Sequence, residues 1–204
     1  MKNNKGIGKY EILTVIVLLL LVFCILSMNL FGGVSIQKVE TMKKSAVSFS
    51  STVAANISSF HNTEYVYLQE VVDEGLMGPI KSTLGGGYCS SSESFVEIDN
   101  GMPYVTMKCN NVLIEKENFE DGNINAYQVS DWVEEKKKDD MEERVLYNCI
   151  VDGGMKYEKY YDELYLVYEI NKEYGTNYYV ASDIEKDKCL VDSKTFYRTK
   201  KVIK

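Results

Sequence analysis

The chain has 204 residues, 45% of them hydrophobic and 12% aromatic, with a formal net charge of −7 and an isoelectric point near 4.9. That surplus of acid argues against nucleic acid as a principal partner, because phosphate binding needs a basic face. The apolar and aromatic content is too high for a disordered chain, and the length suits one ordinary domain beyond any membrane segment.

The N-terminal stretch comes first and says most. Met1-Lys2-Asn3-Asn4-Lys5-Gly6 is a short basic leader, Glu11 is the lone acid, and from Ile12 to Phe31 only Thr14, Ser27 and Asn29 are polar. A helix rising about 1.5 Å per residue crosses a hydrocarbon core of roughly 30 Å over that length, so residues 12–31 read as a transmembrane helix. Lys2, Lys5 and Lys9 precede the span and put the N-terminus in the cytoplasm and the rest of the chain outside. A secretory signal peptide fits less well, since the apolar run exceeds the usual roughly 7–15 residues and no small-residue cleavage site follows. A carboxylate at the edge of hydrocarbon is costly, so Glu11 calls for a cationic partner or a neutral form.

Gly6-Ile7-Gly8-Lys9-Tyr10-Glu11, followed by that apolar run, resembles the prepilin signature of type IV pilins and type II secretion pseudopilins. The resemblance covers residues 1–31. It implies cleavage between Gly6 and Ile7 by a prepilin peptidase, methylation of the new amine, and Glu11 as fifth mature residue, paired with the amine of a neighbouring subunit. The partners it implies are other pilin subunits in a helical filament, the membrane and an inner-membrane assembly platform. Two positions depart from the family's habit: Ile7 stands where Phe or Met is usual, and the span holds no proline.

Beyond Gly32-Gly33 the apolar residues Val39, Met42, Ala46, Phe49, Val53, Ile57 and Phe60 recur at three- and four-residue spacing, an amphipathic helical stripe. One long helix is therefore expected over residues 7–60, about 80 Å at the α-helical rise. Residues 61–84 read as a second helix and linker, with Asn62 or Thr63 as N-cap and Val66, Leu68, Val71 and Val72 buried. Gly85-Gly86-Gly87 opens a loop, and residues 85–204 read as an extracellular α+β globular domain.

Within that domain, Ser94–Ile98 and Tyr104–Cys109 flank the turn signal Asp99-Asn100-Gly101, and Val112–Ile114 and Ile124–Val133 follow as strands. Residues 134–143 form a charged connection, and Arg144–Val151 is another strand. A tyrosine-rich helix is expected over Glu158–Tyr174 with Gly175 at its C-cap, then short strands at Tyr178–Val180 and Thr195–Thr199. The fold class expected is α+β: a long N-terminal α-helix, half membrane and half amphipathic, packed on a small antiparallel sheet. The pilin resemblance implies the same architecture.

Cys24 lies in the apolar span, whereas Cys89, Cys109, Cys149 and Cys189 fall in the part expected outside the cell, where an even number reads as two disulfides. Three connectivities are open. The expected pairs are Cys89–Cys109, which brackets a hairpin, and Cys149–Cys189, which ties the C-terminal tail to an earlier strand. Zinc is disfavoured by the absence of close cysteine pairs and the single histidine, His61.

With one histidine there is no Ser-His-Asp or Cys-His set, and the glycines at 85–87 lack the Lys-Ser/Thr of a phosphate loop, so no enzyme and no cofactor are expected. Asp121-Gly122-Asn123-Ile124-Asn125 begins like a calcium loop, but Ala126 and Trp132 stand where glycine and glutamate are needed. The acids of Asp183-Ile184-Glu185-Lys186-Asp187 read as a solvated loop. Sixteen tyrosines suit core and inter-subunit packing, or a surface that reads carbohydrate or protein. The function expected is a structural pilus or pseudopilus subunit; the alternative is an uncleaved single-pass membrane protein with an extracellular binding or sensory domain.

Overall fold

The computed structural model describes residues 14–19, 35–60, 64–116, 123–151, 154–187 and 189–203. The chain divides into two compact units, residues 1–36 and 37–204. In the first, residues 14–19 are helical, with Val15 to Leu19 about half exposed. Gly6, Ile7, Glu11 and the rest of the 12–31 span lie outside the described residues. Among the described residues, no helix is long and apolar enough to cross a membrane.

The first helix described at length is α1, Ile36–Ala55, which belongs to the second unit from Gln37 on. The stripe behaves as its spacing predicts: Val39, Met42, Ala46, Phe49 and Val53 are all buried. Thr41, Ser45 and Thr52 each donate a side-chain hydrogen bond to the carbonyl four residues back on the exposed side, and Asn56 just past the helix does the same in a part-buried position. The segment just before Gly85-Gly86-Gly87 meets the helix, Thr83 donating its hydroxyl to Lys38 O at 3.0 Å and its N–H to Met42 Sδ at 3.3 Å.

An eight-stranded, wholly antiparallel sheet forms the bulk of the unit, in the order β1-β2-β3-β4-β5-β8-β6-β7. Its strands are β1 (Tyr65–Tyr67), β2 (Phe95–Asp99), β3 (Met102–Cys109), β4 (Val112–Lys116), β5 (Ile124–Val129), β6 (Met141–Val151), β7 (Met155–Lys156) and β8 (Cys189–Val202). Asn100 and Gly101 both have positive φ, 50° and 78°, which is the two-residue turn whose twist matches a hairpin. In β3, Val105, Met107, Lys108 and Cys109 are buried, and in β4 three successive residues, Val112, Leu113 and Ile114, are buried, so both faces of that central strand are covered.

The expected fold class is corrected here. Among the described residues no helix runs through to Phe60: α1 stops at Ala55, Ile57–Ser59 is a single 3-10 turn, and Phe60 is extended at φ −99°, ψ 147°. Asn56, Ser58 and Ser59 end the helix because their short polar side chains compete for backbone groups. Nor is the sheet small. β6 and β8 run side by side through eleven registered pairs, Met141↔Thr199 to Val151↔Cys189, and the last residues of β8 cross to pair with β5. This ribbon is hard to recognise from apolar content because it is held partly by charge: Arg198 Nε to Glu142 at 2.7 Å, Lys200 to Glu142 at 3.1 Å and Lys200 with Glu115.

Three short helices complete the unit: α2 (Leu68–Asp73), α3 (Glu163–Tyr174) and α4 (Ala181–Asp187). The single helix expected over the 62–75 region is split, because residues 65–67 instead pair antiparallel with 95–97. The 183–187 acids lie in α4 and not in a loop. Disulfides join Cys89 to Cys109 and Cys149 to Cys189, the expected pairs. The second sits in an apolar cluster with Val151, Leu166, Val167, Ile170 and Ile184, so it fastens α3 and α4 to the β6–β8 ribbon.

Candidate functional site

A cleft of about 410 Å³ lies between β1 and α2 on one side and α3 and the loop after it on the other. Its size falls in the lower part of the roughly 300–1,000 Å³ typical of small-molecule sites. Its walls alternate aromatic rings (Phe60, Tyr65, Tyr67, Tyr168, Tyr178 and Tyr179) with the acids Glu70, Asp73 and Glu74 and one cation, Lys172.

Local sequence places each group. β1 ends where Tyr67 becomes the N-cap of α2, and Glu70, three residues on, accepts the Tyr67 N–H through Oε2 at 2.9 Å. This is the returning half of a capping box, and it draws a carboxylate inward. Glu70 is only 8% exposed. Burial, reinforced by the Glu74 and Asp73 charges, pushes its carboxyl up to about 7, against the pull of the Tyr67 N–H. Among the described residues, no cation pairs with it.

Asp73, at the C-terminal end of α2, ties the two walls together. It accepts Tyr168 Oη at 2.6 Å and Gln69 Nε2 at 2.9 Å, and it pairs with Lys172. Its slight burial works against the charge, but these hydrogen bonds, led by Lys172, hold its carboxyl below the usual range. Asp162 caps α3 by accepting Tyr165 N–H at 3.0 Å, and it also accepts the Tyr67 hydroxyl and lies 3.5 Å from Arg144. The loop after α3 is fixed by Asn171, whose amide bonds Thr176 Oγ1, Tyr178 N and Tyr178 O between 2.8 and 2.9 Å.

The rings form one array. Tyr65 and Tyr67 flank Phe95 with centroids 6.0 and 5.6 Å away, Tyr67 meets Tyr165 edge-on at 5.0 Å, and Tyr165 contacts Tyr161 and Tyr168. Burial raises the phenols of Tyr67, Tyr165 and Tyr168, and neighbouring carboxylates add to it. At neutral pH these tyrosines are therefore hydrogen-bond donors and apolar surface, not bases. Among the described residues, no group of three or more His, Cys, Asp or Glu could hold a metal ion.

No protein-family model, curated protein or solved structure matches the chain.

None of the site residues expected from the sequence lines this cleft, although Phe60 of the apolar stripe and Tyr178 do. Gly6, Ile7 and Glu11 fall outside the described residues, as do Asp121, Gly122 and His61. Cys89, Cys109, Cys149 and Cys189 are all buried in their bridges. The sequence signals for the cleft are the capping spacing Tyr67–Glu70 and the Leu164, Tyr168, Lys172 spacing of α3. Neither reveals that the two segments, 95 to 99 residues apart, meet through Asp73.

Proposed function

We propose that the chain is a structural subunit of a type IV pilus or pseudopilus, cleaved after Gly6 and assembled through its apolar N-terminal segment. The observation that carries this reading is Gly6, Ile7 and Glu11 standing in register ahead of the apolar residues 12–31. Two features are consistent with it. Residues 37–204 form a compact unit of their own, and its two disulfides suit an oxidising exterior. In this reading the leader faces the cytoplasm, a prepilin peptidase exposes Ile7 as the new N-terminus, and the Glu11 carboxylate sets register by pairing with the amine of a neighbouring subunit.

The test is the intact mass of the chain from cells with and without a prepilin peptidase. Loss of residues 1–6 only where the peptidase is present supports the proposal, and replacing Gly6 by Val should abolish that loss. A protein that begins at Met1 in both cells refutes it. The second reading, an uncleaved single-pass protein that displays a binding domain, is favoured by one observation: the aromatic and acidic cleft, which filament assembly does not require.

A further inference from the structure

We infer that the cleft between α2 and α3 binds a small organic cation, a primary alkylammonium on a short aliphatic chain, with Glu70 as its counter-ion. The inference stands apart from the filament proposal and uses only residues 59–179.

Three observations carry it. The first is charge balance: Glu70, Asp73 and Glu74 face the cleft against a single cation, Lys172, and that cation is already paired with Asp73. The second is Glu70 itself. It is more than nine-tenths buried, its Oε2 takes the Tyr67 N–H, its side chain lines the cleft, and among the described residues no ion pair reaches its carboxyl. A carboxylate withdrawn from water without a countercharge is costly, and an incoming ammonium repays that cost directly. The third is the aromatic wall. Tyr65, Tyr67, Tyr168, Tyr178 and Tyr179 offer π-faces and apolar edges for the methylenes and the charge of an alkylammonium. Lys172 demonstrates the geometry, its Nζ lying 5.9 Å from the Tyr168 ring centre while it pairs with Asp73. A neutral sugar would use the rings but leave Glu70 uncompensated.

The groups that face Glu70 are Asp73 and Glu74 on its own helix, Tyr65 and Tyr67 from β1 with Asp162 and Arg144 behind them, and Tyr168 and Lys172 from α3. Lys172 is the one cation among the lining residues, so its removal should free acid for the ligand.

The experiment is calorimetric titration of the full chain, held in a nonionic detergent, with 1,5-diaminopentane, Nα-acetyl-lysine methylamide and N-acetylglucosamine in separate arms. Both amines should bind and the sugar should not; the two amine arms distinguish a free amine from a peptide lysine as the better source of the group. Glu70→Gln keeps an acceptor for the Tyr67 N–H and so keeps the cap, but should weaken amine binding about tenfold or more, as loss of a charged hydrogen bond predicts. Lys172→Met should tighten it. Opposite signs from these two variants are what a merely structural role would not give. Binding of the sugar as strong as that of the amines, no binding of either amine, or amine binding unchanged by Glu70→Gln would each overturn the inference.

Discussion

Replacing Glu70 by Gln should stabilise the folded chain in mildly alkaline buffer and leave it nearly unchanged in acid. Burial raises the folded carboxyl from 4.5 to about 7, so between those two values the folded state holds a proton that the unfolded chain has released. The stability contributed by this group is therefore full below about 4.5 and is lost as pH rises through about 7. At about 1.4 kcal/mol for each pH unit between the two values, ionised Glu70 costs on the order of 3 kcal/mol above neutrality. Gln never ionises, and its amide oxygen still accepts the Tyr67 N–H. For a chain of this size, about 2–4 °C per kcal/mol gives a melting temperature roughly 6–12 °C higher for the variant at about pH 8, shrinking towards zero at about pH 4.5. Asp73, held below the usual carboxylate range by Lys172 and Tyr168, keeps its charge across that window and contributes equally to both proteins. Thermal melts of the two proteins, followed by circular dichroism at several pH values, give the difference directly. Melting curves separated by a constant offset at every pH, or a variant no more stable above neutrality, would refute the reasoning.

Two further outcomes follow from the packing and the bridges. Phe49, fully buried on the inner face of α1, should cost about 3–5 kcal/mol when replaced by Ala, read as a lower urea midpoint with an unchanged slope. A cost below about 1 kcal/mol would mean that α1 is not anchored by that face. Replacing Cys149 and Cys189 together by Ser should cost about 4 kcal/mol, and replacing Cys89 and Cys109 about 3 kcal/mol, because the bridges close loops of 40 and 20 residues. Urea unfolding without reductant ranks the pair, and the reverse order would contradict the loop-entropy argument.

Charge and local spacing determine much about this protein without any structure. The stripe from Val39 to Val53, the Asn100-Gly101 hairpin, the Gly175 cap with φ 62° and the number of disulfides follow from periodicity, turn chemistry and the parity of cysteines, which are local or nearly local in cause, whereas the pairing is one of three that parity leaves open. What local rules do not contain is partner choice over long separations. Only the tertiary structure turns residues 65–67 from helix to edge strand, because their backbone groups are satisfied by Phe95, Val96 and Glu97. Only it makes β6 and β8 a long ribbon, since cross-strand pairs such as Glu142 with Arg198 compensate for apolar residues the strands lack. The cleft is the extreme case: Glu70 is an ordinary helix-capping residue in sequence, and it becomes a buried acid lining a cleft only in the folded chain.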